Sequence, residues 1–200
     1  ECEPDSGGAG LHRGGNGIHM TYRFLSPGTI SIHDDRWFVP PWGVNGGHPG
    51  MRAKKLLEKA DGSVEIIGNK VEDVHVEKDD QLHFITWGGG GWGDPLERAA
   101  SQVAFDVVAG LVTAAGAKRY GVIVSADGVV DEKATEALRA KMRTNRGPKK
   151  IFDRGFESIE ELKARCKAET GFDPPGQPRF TKWAAVAAEA LMKKKGSKAA

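Results

Sequence analysis

Eighteen of the 27 glycines in this 200-residue chain lie at or before residue 93, in clusters such as Gly7-Gly8-Ala9-Gly10, Gly14-Gly15-Asn16-Gly17 and Gly88-Gly89-Gly90-Gly91-Trp92-Gly93. Glycine loses more backbone freedom on folding than any other residue. Runs of it persist where the chain takes positive φ or where a second backbone or a bound group comes close. The glycine-dense part therefore reads as strands joined by glycine-rich turns. The entropic cost of those turns has to be offset by packing or by a ligand.

Periodicity supplies the elements between the clusters. Ile18 to Leu25 alternates as a half-buried strand does, and Thr29 to His33 is a second strand candidate ended by Asp34, Asp35 and Arg36. Trp37-Phe38-Val39-Pro40-Pro41-Trp42-Gly43 follows, a stiff aromatic loop because its prolines lack donors and hold the chain extended. Val74 and Val76 alternate with Asp73, His75 and Glu77, and Leu82, Phe84 and Thr86 resume the pattern after Lys78-Asp79-Asp80-Gln81, which predicts a β-hairpin over 71–87. Asp94-Pro95-Leu96-Glu97 carries the marks of a helix start, and Val103, Val107 and Leu111 carry that helix to about Gly110. A short helix over 113–119, a strand over 120–124 and a capped helix over 131–142 complete the body. Past Thr144 come a linker at 146–150, a helix over 158–170 with a capping box at Ser158 and Glu161, and a last helix from Trp183 to about Lys195. The expected class is α+β, with antiparallel, β-rich N-terminal two-thirds followed by helices and a helical tail. Residues 1–143 form one region and 144–200 a linker and tail.

Composition narrows the partners. With 29 basic and 27 acidic residues the chain carries +2, so no bulk field draws it to nucleic acid or an anionic membrane. Cys2 and Cys166 lie in different regions, which argues against a disulfide framework and fits a reducing, cytoplasmic setting. No stretch approaches the roughly 18 apolar residues of a membrane helix. The chain starts Glu1-Cys2-Glu3-Pro4-Asp5 rather than with Met. The expectation is that its start was removed or that it is a piece of something longer.

Single motifs resolve little chemistry. Gly88-x-Gly90-x-x-Gly93 matches the dinucleotide fingerprint in form, but the strand before it alternates, no acidic residue ends a second strand at the usual distance, and Pro95 crowds the helix start. Two readings stay open for that turn: a close backbone contact, or the wall of a cavity. The six histidines include no pair at helical ligand spacing, and two distant cysteines make no zinc site. His75 and His83 fall at outward strand positions, as surface histidines do. His33 with Asp34 and Asp35 is either a ligand cluster or a solvated turn. Trp37, Phe38, Trp42, Trp87 and Trp92 sit among glycine and proline, which do not wrap them, so a site wall or a subunit interface should cover them.

In order, Pro4-Asp5-Ser6-Gly7-Gly8-Ala9-Gly10, Arg13-Gly14-Gly15-Asn16-Gly17, Asp35-Arg36 before Pro40-Pro41-Trp42-Gly43, Gly46-Gly47-His48-Pro49-Gly50, Gly88 to Glu97 and Tyr120-Gly121-Val122-Ile123 resemble the last third of the hydantoinase B and oxoprolinase family. The resemblance covers about residues 1 to 140. It implies the C-terminal part of a subunit of an ATP-dependent heteromeric enzyme that hydrolyses a cyclic amide. The alternatives it leaves are an acetone or acetophenone type ketone carboxylase, or a non-catalytic module of such an assembly. It further implies a hydantoinase A-type partner holding ATP and Mg, and an N-terminal portion of the B-type subunit holding a divalent metal, Zn or Mn. This chain then holds neither cofactor and is inactive alone. The positions it places at the border of a substrate cavity are Asp5, Ser6, Gly7, Gly8, Arg13, Gly14, Gly15, Gly88, Gly89, Gly90 and Gly91. Catalytic residues are not identified. Backbone N–H groups of the turns could stabilise an oxyanion, and Arg13 could pair with a phosphate or carboxylate.

Overall fold

The computed structural model describes residues 1–176 and has an α+β architecture, seven strands followed by helices with one further short strand among them. A four-stranded antiparallel sheet runs in the order β1 (His19–Arg23), β7 (Gln81–Ile85), β4 (Lys54–Glu58), β5 (Val64–Ile66). A second sheet pairs β2 (Gly28–His33) with β6 (Lys70–Val76), and a third pairs two short strands, β3 (Gly43–Val44) and β8 (Phe152–Asp153). The first two share one core: Leu57 and Leu82 from one meet Ile32 and Val76 from the other, with Ile67, Ile30, Val74 and Phe84 around them. Ile30 of β2 faces Val74 of β6 but Ile32 faces Val71, so β6 carries an extra residue there. Asp73 takes a φ of 55° in that bulge.

The expected hairpin over 71–87 does not form. Both segments are strands, but β6 pairs with β2 while β7 lies between β1 and β4. The turn between them is a corner from one sheet to the other. Buried Asp80 holds it, accepting from the N–H of Glu77 (3.0 Å) and Ala60 (2.9 Å) and from Lys59 Nζ (3.2 Å). Both strands bury the face that their alternation marks, and Val76 and Leu82 share a core.

The helix expected from Asp94 divides. Asp94 caps a 3₁₀ turn over 95–97 by accepting from Leu96 N (2.9 Å), and the chain extends at Arg98 before α1 (Ala100–Val108) begins. That bend lets the Arg98 guanidinium reach Leu11 O (3.0 Å) and Asp106 Oδ2 (2.9 Å). The expected short helix is a 3₁₀ turn over 116–120, and residues 120–124 are not a strand: Gly121 takes φ 65° to end the turn, leaving an isolated bridge between Val124 and Val130. Tyr120, Val122 and Val124 pack there with Val103 and Val107 of α1 in a second core that includes Ala9. Helix α2 (Glu132–Asn145) starts at Asp131, which accepts from Ala134 N, and α3 (Ile159–Thr170) at Ser158, which accepts from Glu161 N.

α3 packs onto the aromatic loop. Cys166 Sγ approaches Trp37 O at 3.5 Å, Phe172 meets the Trp37 ring edge-on at 5.4 Å, and Glu169 pairs with fully buried Arg52. Trp37 and Phe38 are thereby half-buried, while Trp42, Trp87 and Trp92 stay exposed. The helix expected over 183–195 lies outside the described residues. No described helix is long and apolar enough to cross a membrane.

Candidate functional site

The glycine clusters come together in space, backbone against backbone. Residues 88–91 lie in the middle. Gly8 N–H donates to Gly89 O (2.8 Å), Gly89 N–H to Gly15 O (2.8 Å), Gly91 N–H to His48 O (2.9 Å), and Val44 N–H to Gly91 O (2.9 Å). His48 N–H donates in turn to Ala9 O (2.7 Å), and Gly14 N–H to Gly8 O (3.0 Å). A Cβ on Gly88 would overlap Ser6 O, one on Gly90 would overlap Trp42 O, and one on Gly91 would overlap Ala9 O. These segments approach to distances that a side chain would forbid, and that approach is what their glycines permit.

This packing occupies most polar groups expected to face a substrate. The N–H groups of Gly88, Gly89 and Gly91 donate to Met51, Gly15 and His48 carbonyls, leaving Gly90 as the one of the four without a backbone acceptor among the described residues. Buried Ser6 donates its hydroxyl to Glu3 O (2.6 Å) and accepts from Gly17 N (2.8 Å). Gly7 and Gly14 are buried, a Cβ on Gly7 would meet Gly14 O, and Gly15 alone of the set has open space around its Cα. Arg13 points inward: its Nε lies 3.5 Å from Asp106 Oδ2, a carboxylate shared with Arg98, and its Nη1 donates to Gly14 O (2.8 Å). Beside that cluster is the buried hydroxyl of Tyr120, pushed up in pKa by burial and without a partner among the described residues. Asp5, at φ 61°, accepts from Thr113 Oγ1 (2.6 Å) and Arg119 Nη2 (3.1 Å).

Open clefts lie where 146–157 runs against the 43–50 segment, with Asn45 N–H donating to Ile151 O (2.7 Å) and Gly46 N–H to Lys150 O (2.8 Å). One, of about 210 Å³, is bounded by His48, Asp94, Leu96, Arg146, Lys149 and Asp153. Its neighbour, of about 400 Å³, is bounded by His48, Arg119, Lys150, Asp153, Glu161 and Arg165. Half-buried His48 stands between them. Burial pushes its imidazole below the ordinary value of 6.5; the carboxylates of Asp153 and Asp94 oppose that shift and Arg119 reinforces it. Asp94 ends below the ordinary carboxylate value although burial alone would raise it, because Arg146 and the Leu96 N–H outweigh burial. The cations that line these clefts are paired with carboxylates, Arg146 with Asp94, Lys150 with Asp153 and Glu157, and Arg119 with Asp5, so the clefts carry mixed charge around His48.

Sequence reasoning did not single out His48, Arg119 or Asp153. The available signal was His48 itself, the one large side chain within Gly46-Gly47-His48-Pro49-Gly50. His33, Asp34 and Asp35 diverge: His33 lies 3.6 Å from Glu72, Asp35 pairs with Lys70 (2.8 Å), and Asp34 turns inward against Lys55. Lys55 is fully buried with Phe84 at 4.1 Å, and burial pushes its ammonium down to about 7, while Asp34 and the ring both favour the charged form. None of the clefts described above reaches it, so the pair braces the loop at 34 against the sheet. Among the described residues no group of three or more His, Cys, Asp or Glu side chains is arranged to hold a metal ion.

A glycine-knit core beside a small two-sheet unit defines a class with solved members. The ATP-dependent caprolactamase from Pseudomonas jessenii matches 70% of this chain and 25% of its own with a TM-score of 0.58 and 29% identity. Residues 1–95 match the model of the hydantoinase B/oxoprolinase family, and this part of the chain belongs to that family. Caprolactamase subunit beta from Pseudomonas jessenii is 34% identical over 143 residues, 68% of this chain and 24% of the relative. Acetone carboxylase alpha subunit from Xanthobacter autotrophicus is 28% identical over 199 residues, 76% of this chain and 24% of the relative. The chain thus spans about a quarter of the length of these relatives.

Proposed function

We propose that this chain is the C-terminal part of a hydantoinase B-type subunit in a cytoplasmic, heteromeric, ATP-dependent enzyme that hydrolyses a cyclic amide such as hydantoin, oxoproline or a related lactam. The observation that carries the reading is the meshing of glycine backbones at 5–17, 43–50 and 88–93, within the segment matched to the family. The similarity to caprolactamase supports hydrolysis of a lactam. ATP and Mg belong to a hydantoinase A-type partner, and a divalent metal, Zn or Mn, to the N-terminal portion of the B-type subunit. Similarity to the acetone carboxylase subunit supports a second reading, carboxylation of a ketone.

Within either assembly the present residues brace a cavity rather than carry out bond-making. Ser6, Arg13 and three of the four N–H groups at 88–91 are already engaged internally, which supports that division. The test is phosphate release by the complex, co-expressed with its A-type and remaining B-type polypeptides, on a lactam or hydantoin against a ketone with bicarbonate. Ring opening coupled to phosphate release is expected with the first pair of substrates. Phosphate release with ketone and bicarbonate alone would move the assignment to the carboxylases, and turnover by the 200 residues without partners would overturn the bracing role.

A further inference from the structure

The outer face of the four-stranded sheet carries a cluster that the proposed function does not use. Register places Thr21 of β1 and Leu56 of β4 opposite His83 of β7, with His19 and Glu58 each two residues along their strands from those partners. Side chains two apart on a strand share a face, so His19, Thr21, His83 and Glu58 lie together, opposite the face that buries Leu57 and Leu82. His83 Nε2 is 3.0 Å from Glu58 Oε2, and His83 Nδ1 is 3.1 Å from His19 Nε2 and 3.3 Å from Thr21 Oγ1. The side chains of His83 and Glu58 are 22% and 38% exposed, so solvent ions can reach them.

We propose that His19 and His83 form a two-histidine site for a borderline divalent cation such as Zn²⁺, Cu²⁺ or Ni²⁺. An ionised Glu58 can only accept, so His83 carries its proton on Nε2, and its Nδ1 lone pair is directed at His19. That is the carboxylate–histidine arrangement that orients a metal-ligating imidazole and raises its basicity. In the ion-free chain the His19 Nε2–H fills the space between the rings. When the cation enters, that proton moves to His19 Nδ1 and both facing nitrogens become ligands. Two nitrogens at about 2.0–2.1 Å from a tetrahedral ion stand roughly 3.3 Å apart, so a pair at 3.1 Å has to open by a few tenths of an ångström and each ring has to turn until its lone pair points at the ion rather than along the line between the nitrogens. Paired strands hold both rings before the ion arrives. Water fills the remaining positions, which makes this a weaker site than a four-ligand structural zinc centre. Glu58 acts through His83 and is a positioning residue.

Calorimetric titration of the full 200-residue chain with ZnCl₂ tests the assignment. One equivalent should bind, binding should vanish in His19→Ala and in His83→Ala, and His33→Ala and His75→Ala should bind as the parent does. Glu58→Gln should weaken binding about tenfold or more. Circular dichroism establishes that each variant is folded; should His83→Ala unfold, His19→Ala on the edge strand decides alone. Absence of Zn²⁺ binding by the parent chain, or parent-like binding in a folded His19→Ala variant, would overturn the site and leave the histidines as a hydrogen-bonded pair. Undiminished binding in Glu58→Gln would remove the orienting role.

Discussion

Gly15 and Gly88 look alike in the sequence, each inside a glycine cluster, yet a methyl group has opposite consequences at the two. At Gly88 it overlaps the Ser6 carbonyl, a backbone atom that cannot rotate away; at Gly15 it meets nothing within 4 Å. Gly88→Ala should cost about 3 kcal/mol, the upper end of the usual overpacking range. Gly15→Ala should be neutral or gain about 0.4–1 kcal/mol by restricting the unfolded chain. Urea denaturation of the two variants measures the difference directly. His48 makes a prediction in pH. Its folded-state pKa is depressed below 6.5, so the unfolded chain takes up a proton first as pH falls, and stability present above about 6.5 is lost below it. Parent stability should decline more steeply as pH falls below about 6.5 than that of His48→Gln, and parallel declines would show that His48 titrates alike in both states. Residue types announced that backbones meet in this region. They did not announce which carbonyl each glycine meets, because glycine contacts have no period, nor that Arg13 turns inward to Asp106, which is 93 positions away and on another element.

Among the elements, β6 and β7 show what alternation can and cannot reveal. A period of two identifies the face a strand buries, and Val76 and Leu82 do face one core; it says nothing about which strand is the hydrogen-bonding neighbour. Caps were legible for a different reason. Asp131 and Ser158 act on N–H groups three residues ahead, so the partner is fixed by the local sequence. The helix from Asp94 failed as a single element because Arg98 is drawn to Leu11 O, a contact of long range, as well as to Asp106 on α1. Helix α3 is held to the aromatic loop through Glu169 on the buried Arg52 guanidinium, beside a buried thiol. Glu169→Ala leaves that cation without its carboxylate and should destabilise the docking by about 1–3 kcal/mol. Cys2 is exposed and Cys166 buried, so a thiol reagent should modify one cysteine quickly and the second slowly. The slow phase should accelerate in Glu169→Ala well before global unfolding; an unchanged slow phase would mean that α3 is held mainly by its apolar contacts.

At the scale of the whole molecule two kinds of interior stand side by side. The space between the sheets and the packing around α1 are filled by aliphatic and aromatic side chains. The glycine core is filled by peptide groups hydrogen-bonded to one another across segments. Unfolding the first kind exposes hydrocarbon, which raises the heat capacity; unfolding the second exposes amides, which lowers it. Scanning calorimetry should therefore return a heat-capacity increment per residue below the usual 12–15 cal/mol/K. A smaller increment flattens the curve of stability against temperature. Backbones fitted this closely thus leave a protein that loses little of its stability on chilling, because less of what holds it together weakens in the cold.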